Sequence, residues 1–321
     1  MTRTPHRLTG ATAWVGALVL VGGIVGVVSV RGVGSPSAAK APSIQAPVPV
    51  VTPSPVPPTK PAPPPVRRTA AAAVSELGPP PGPQYDPAPA ATAAPAQRYA
   101  FLAGVTNYQA PTHNTIAGAQ DVRFIASMLQ RNGWLPQNIR VVTDGAATGT
   151  AIRSGLAWLA GRSTPGTFTF FHYSGHVKQV GSTEKLWPVD RDFVDDSEVR
   201  SLLARSTGKM WVDIAGCEAG GFAGSLPSSR VLFSSSSRSD EKSYEYPRWG
   251  ESVWAGLLYD IGTAQGSADA DQDGRVTIGE ALRYASYYAH SITMGQRPYG
   301  PQIPQVLGDP IRGWTLADPP A

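Results

Sequence analysis

From position 98 onward the chain alternates short β-forming runs with stretches whose apolar residues recur at helical spacing, and no other feature restricts its fold more. "RYAFLAGV", "NIRVVTD", "TFTFFHYSGH", "KMWVDIAG" and "RVLFSSSS" read as strands. Among them lie "AGAQDVRFIASMLQRNGW", "ATGTAIRSGLAWLAGR", "DDSEVRSLLARS" and "GESVWAGLLYDIG", which read as helices. In the first of these, Val122, Ile125, Leu129 and Trp134 fall near one face and Gly133 is the expected terminating residue. Strands separated by helices of about 10–15 residues need crossover connections, so the expected fold is α/β: a mainly parallel sheet with helices on both faces. In such sheets chemistry gathers beyond the carboxyl ends of the strands.

Two segments directly follow strand-like runs, "HYSGH" and "GCEAGG", which sends His176 and Cys217 to the same sheet edge. Cys217 is the only cysteine among 321 residues, so it forms no internal disulfide and no thiol-based zinc site. A lone cysteine is ordinarily a small buried hydrophobe. A nucleophilic role needs a base and an oxyanion site. An imidazole can take the thiol proton, and backbone N–H groups at a glycine turn can bind the developing oxyanion. Gly216, Gly220 and Gly221 allow such a turn beside Cys217. His113, His172 and His290 compete with His176, but only His176 sits in the loop that follows the strand-like run. The edge carries no GxGxxG or GxxxxGK[ST] phosphate motif.

The first 97 residues are of another kind. No charged residue occurs between Arg7 and Arg31, long enough for a membrane-spanning helix, and Arg3 and Arg7 favour a cytoplasmic N-terminus. Residues 1–34 are therefore expected to be an anchor, the alternative being a cleaved secretory signal. Both readings put the remainder outside the cytoplasmic membrane, either anchored or secreted. Residues 35–97 hold 19 of the 32 prolines and read as an extended, disordered spacer. Residues 1–97 carry seven basic and two acidic residues, against 20 basic and 21 acidic in the remainder. The basic balance thus belongs to the N-terminal part, and no nucleic-acid partner is expected.

The blocks "YAFLAGVTNY", "GAQDVRFIASMLQRNGW", "HYSGH", "LWPVD", "GCEAGGF", "VLFSSSSRSDEKSYE", "GESVWAGLL" and "ADADQDGRVTIGEALRYA" follow one another in an order that resembles the caspase-like cysteine peptidases, including metacaspases and bacterial homologues. The resemblance covers roughly Arg98 to Ala285 and implies a six-stranded, mainly parallel sheet of the caspase–hemoglobinase kind within a domain at 98–318. It implies His176 as acid/base, Cys217 as nucleophile, and the N–H groups of Val177 and Cys217 as the oxyanion site. Ser174 matches a pocket serine, and Asp121 a pocket aspartate that holds Arg or Lys, although the spacing there is one residue short. The chain departs from the metacaspase pattern at Val177 (glycine), where a branched side chain is expected to narrow the site, and at Ala215 (aspartate) and Ala219 (serine). Asp213 is a candidate to replace the missing carboxylate. The Q-A-C-[RQG]-G signature of Asp-specific caspases is absent.

"DADQDGRVTIGE", residues 269–280, fits the twelve-residue EF-hand loop. Asp269, Asp271, Asp273, Arg275 (through its carbonyl), Thr277 and Glu280 are the expected Ca2+ ligands; the alternative is an acidic turn that merely precedes a final helix. Catalysis itself is expected to need no cofactor. The leading expectation is a cysteine endopeptidase acting on protein or peptide substrates through a thioester acyl-enzyme. The alternative is an inactive caspase-like scaffold or a calcium-dependent binding module.

Overall fold

The computed structural model describes residues 97–316, apart from Ser228 and Asp309. The expected anchor or signal and nearly all of the proline-rich spacer lie outside these residues. Among the described residues no helix is long and apolar enough to cross a membrane.

Five strands run parallel and a sixth closes one edge antiparallel. They are β1 (Arg98–Gly104), β2 (Ile139–Thr143), β3 (Phe168–Ser174), β7 (Lys209–Ala215), β8 (Val231–Ser235) and β11 (Gln305–Leu307), in the order β11-β8-β7-β3-β1-β2. All four junctions among the first five are parallel, and β11 meets β8 antiparallel. The remaining strands form two small sheets. β4 (Val177–Val180), β5 (Thr183–Leu186) and β6 (Val194–Asp195) make one, and β9 (Glu245–Tyr246) with β10 (Glu251–Ser252) makes the other.

Alternation along each strand divides its side chains between two apolar layers. On one face Ala100, Leu102, Phe170, Trp211 and Leu232 pack against α1 (Gly118–Arg131) and α5 (Ile278–Thr293). On the other, Phe101, Phe171, Val212 and Phe233 meet α2 (Gly149–Arg162) and α3 (Asp196–Leu203). At Gly155 of α2 a Cβ would lie 2.1 Å from the Phe101 ring, so only glycine lets that helix lie so close to the sheet. The helical spacing of α1 and its stop at Gly133, which has φ +78°, follow the sequence expectation.

"GESVWAGLLYDIG" departs from the expected α-helix. After one helical turn at Val253–Ala255, labelled α4, the chain widens into a π-helix over Gly256–Ala264. The cause lies in the spacing of two side chains. Trp254 Nε1 and Tyr259 OH both donate to the carboxylate of Asp213 on β7, at 2.9 and 2.6 Å. Residues five apart share a face when the helix closes i→i+5 bonds, and diverge in an α-helix. Gly262 tolerates the widened turn, since a Cβ there would lie 2.6 Å from the Leu257 carbonyl oxygen.

Candidate active site

Because β1, β3 and β7 run parallel and in register, their carboxyl ends coincide. Gly104 is opposite Ser174, and Ser174 is opposite Ala215. His176 stands two residues beyond Ser174, and Cys217 two residues beyond Ala215. The turns touch: the N–H of Gly175 donates to the Ala215 carbonyl at 3.1 Å. A Cβ at Gly216 would lie 2.7 Å from both the Gly175 carbonyl oxygen and Val177 Cγ2, so the close approach of the two loops requires glycine.

The Cys217 turn is held from the segment directly after β8. Ser236 Oγ accepts the Gly216 N–H at 2.9 Å and donates to the Gly216 carbonyl at 3.0 Å, while Ser237 Oγ donates to the same carbonyl at 2.8 Å. The chain then turns sharply through Glu218, which has φ +61°. Cys217 is 7% exposed, and the Ser243 N–H points at Sγ from 3.4 Å. Burial pushes the thiol up; the Ser243 N–H and the nearby Lys242 charge oppose it. Lys242 is in turn paired with Glu218, Nζ to Oε1 at 2.7 Å.

The His176 ring nitrogen Nε2 lies 2.8 Å from the His113 carbonyl oxygen, an acceptor only, so Nε2 carries the proton and Nδ1 keeps its lone pair. Burial holds the imidazole below its ordinary value, with the carbonyl of His113 opposing. The competing His172 is a core residue: it is fully buried in β3, and its Nδ1 binds Asp213 at 2.8 Å.

Ser174 and Asp121 come together. Ser174 Oγ donates to Asp121 Oδ2 at 2.6 Å, and the Ser252 N–H donates to Oδ1 at 3.1 Å. Asp121 is 1% exposed, and burial drives its carboxyl from 3.8 to about 8. Asp213 does not take the place of the absent carboxylate at 215. It is fully buried, and its oxygens accept from His172, Trp254, Tyr259 and the Ser234 hydroxyl. The Val177 side chain is buried in the apolar layer that includes Leu186, and its Cγ2 also comes close to Gly216 of the Cys217 turn.

In the EF-hand-like loop one ligand oxygen from each of Asp269, Asp271 and Asp273 lies within 4.8 Å of the others. Asp269 accepts the Gly274 N–H at 3.0 Å, and Asp273 accepts that of Arg275 at 2.7 Å. Glu280 is engaged elsewhere. Its Oε2 accepts from the N–H and hydroxyl of Thr277, both at 2.9 Å, and Oε1 accepts the Ala270 N–H at 3.1 Å. With Thr277 it forms the capping box of α5. Three carboxylates suit a hard cation, but the bidentate twelfth ligand of the pattern is committed to the helix cap.

Inspection of the sequence did not single out Ser243, Lys242, Tyr108 or the His113 carbonyl. The first three lie inside the blocks "VLFSSSSRSDEKSYE" and "YAFLAGVTNY", so their segments were legible but their roles were not. A backbone carbonyl leaves no trace in residue identity.

Residues 97–274 match the family model for the caspase domain, more than half of the chain. Two metacaspase-1 proteins are similar. That of Schizosaccharomyces pombe is 29% identical over 129 residues, covering 34% of this chain and 30% of that protein. That of Mycosarcoma maydis is 27% identical over 127 residues, covering 34% of this chain and 31% of that protein. The matches thus span about a third of these relatives. A solved structure, protein GSU0716 from Geobacter sulfurreducens, aligns with a TM-score of 0.49 at 12% identity, over 69% of this chain and 99% of that one. On the strength of the family model, the chain belongs to the caspase-domain family of cysteine peptidases.

Proposed function

We propose that the protein is a cysteine endopeptidase in which Cys217 attacks the scissile carbonyl and His176 moves the proton. The observation that carries this reading is the register of β3 with β7. It sets the sole thiol and a histidine with a defined tautomer on two touching turns at one sheet edge. Catalysis in this family needs no cofactor, and its substrates are proteins.

The pair rests as thiol and neutral imidazole, because burial raises one group and lowers the other. As Sγ bonds to the carbonyl carbon, Nδ1 of His176 takes the thiol proton. The N–H groups of Val177 and Cys217 are assigned to the oxyanion. Collapse of the tetrahedral adduct breaks the C–N bond, and His176 returns the proton to the departing amine, leaving a thioester. Water, deprotonated by the same nitrogen, then releases the acid. Asp121 and Ser174 are assigned to the pocket for the residue before the scissile bond, where a carboxylate favours Arg or Lys.

Cys217→Ala should abolish cleavage of a fluorogenic peptide library at an unchanged melting temperature. Cleavage by the variant at the wild-type rate refutes the mechanism. An inactive scaffold predicts no turnover by either protein, with Cys217 reacting with iodoacetamide no faster than a simple thiol. From the sequence we also propose that residues 1–34 hold the domain outside the cytoplasmic membrane. Recovery of the full chain in the soluble cytoplasmic fraction overturns that.

A further inference from the structure

His176 lies beyond the last residue of β3, where the main sheet no longer fixes its backbone, yet its base function needs a fixed ring. The Trp187 N–H donates to the His176 carbonyl at 3.1 Å, and the remaining backbone contacts come from two phenols. Tyr108, in the loop after β1, accepts the His176 N–H through its hydroxyl at 2.8 Å, and its ring centroid lies 4.6 Å from that of the imidazole. Tyr173, on β3, directs its hydroxyl at the His176 carbonyl oxygen (2.9 Å) and the Trp187 carbonyl oxygen (2.8 Å), sharing one proton between them. The two hydroxyls are 3.5 Å apart. Both are buried, and burial raises both phenols, so neither is a charged group at neutral pH.

Gly175 is what lets the phenols reach. A Cβ there would lie 2.6 Å from the Tyr108 hydroxyl and 3.0 Å from that of Tyr173. The loop bearing Tyr108 also supplies the His113 carbonyl that binds Nε2, and it is braced as one piece. Asn114 Oδ1 accepts the Tyr108 N–H at 2.9 Å, Thr115 Oγ1 donates to the Val105 carbonyl at 2.8 Å, and Asp144 Oδ1 accepts the N–H groups of Thr106 and Asn107 at 2.9 Å. Backbone and ring of His176 are therefore held from one loop, the Tyr173 side chain and the Trp187 N–H.

We propose that the Tyr108–Tyr173 phenol pair positions His176, clamping its N–H and carbonyl so that its ring is held in place to serve the Cys217 thiol. This rests on the dyad reading above, and neither tyrosine touches substrate. The test is the pH dependence of Cys217 carboxamidomethylation by iodoacetamide, which needs no substrate. Wild type should show a rate that rises with loss of the imidazole proton, at a midpoint below 6.5, the ordinary imidazole value. In Tyr108→Phe that rise should disappear and the rate at pH 7 should fall about tenfold or more, since a positioned base contributes ~10²–10⁴-fold. The neighbouring His113, Lys242, Glu218 and Glu245 are unchanged in the variant, so the loss is not a change of local charge. Melting temperature is followed in parallel, and a structural role alone moves that temperature without moving the midpoint. A folded Tyr108→Phe with the wild-type profile overturns the proposal. If Tyr108→Phe does not fold, Tyr173→Phe is measured against the same two outcomes. A wild-type thiol that titrates as a simple buried cysteine refutes the dyad itself, and the clamp with it.

Discussion

Replacing Asp121 by asparagine should make the domain more stable as the pH rises, by an amount the burial of that carboxyl sets. The side chain is 1% exposed and its acid is displaced from 3.8 to about 8. Desolvation is the largest cause, and the bonds from Ser174 and Ser252 recover only part of it. The native state therefore holds a proton that the unfolded chain has lost, so stability is fully present below the unfolded value and drains away as pH rises towards 8. At 1.36 kcal/mol per unit, the loss over the whole window is on the order of 6 kcal/mol, and about 3 kcal/mol of it falls between pH 5 and pH 7. Asparagine keeps both contacts, accepting from the Ser252 N–H and donating to Ser174 Oγ, and has nothing to titrate.

The measurement is urea unfolding at pH 5, 6 and 7 of Asp121→Asn against its parent, both carrying Cys217→Ala so that neither digests itself. Glu184, which burial lifts to about 7, slopes the same way but is common to both proteins, so the difference isolates Asp121. The advantage of the asparagine variant should grow by about 3 kcal/mol from pH 5 to pH 7. A difference constant to within about 0.5 kcal/mol would falsify the assignment of a protonated, buried acid. The same reasoning reaches the pocket. A substrate Arg or Lys has to ionise Asp121 in order to pair with it, so its cleavage relative to an uncharged residue should climb between pH 6 and pH 8.

Burial holds the His176 imidazole below 6.5, so the base stays unprotonated into mildly acid solution, and for a substrate with an uncharged residue before the cut kcat/KM should fall only below that value. An acid limb centred above 7 contradicts the environment described for that ring. Glu280→Ala removes one half of the α5 capping box and should cost about 0.5–2 kcal/mol, read as a lower melting temperature in the presence of a chelator. The EF-hand-like pattern leads one to expect a saturable calorimetric heat with Ca2+ that Asp271→Asn abolishes. A flat wild-type titration removes calcium from the chemistry of this chain.

The five parallel strands and their crossover helices were legible because each has a period: alternation in the strands, and three-to-four spacing in α1 and α2. Placing His176 and Cys217 at one edge needed only the rule that parallel strands end together. The π-helix was not legible, because "GESVWAGLLYDIG" has a plausible α period. What overrides it is Asp213, forty-odd residues away, drawing Trp254 and Tyr259 onto one side. The small sheet β4–β5–β6 escaped for a related reason. Its strands are two to four residues long, too short for alternation to register. The partners of the two key side chains were hidden most completely, since the Ser243 N–H and the His113 carbonyl belong to the backbone.

The three departures from the metacaspase pattern bear on activity through where their side chains go. Val177 is 6% exposed, Ala215 4% and Ala219 0%. Val177 enters the apolar layer with Leu186, Ala215 faces the opposite layer, and Ala219, two residues after Cys217, is buried in the same layer as Phe222. Val177 Cγ2 comes close to the Gly216 backbone of the Cys217 turn, and a change of side chain leaves the Val177 N–H assigned to the oxyanion in place. What Ala215 lacks is the carboxylate that the metacaspase pattern carries at that position. A second carboxylate there would push the Asp121 acid up further, as burial and the charge of Glu251 already do. On the proposed pocket, alanine at 215 therefore spares Asp121 that further rise and bears on the pH at which Arg or Lys is accepted before the cut.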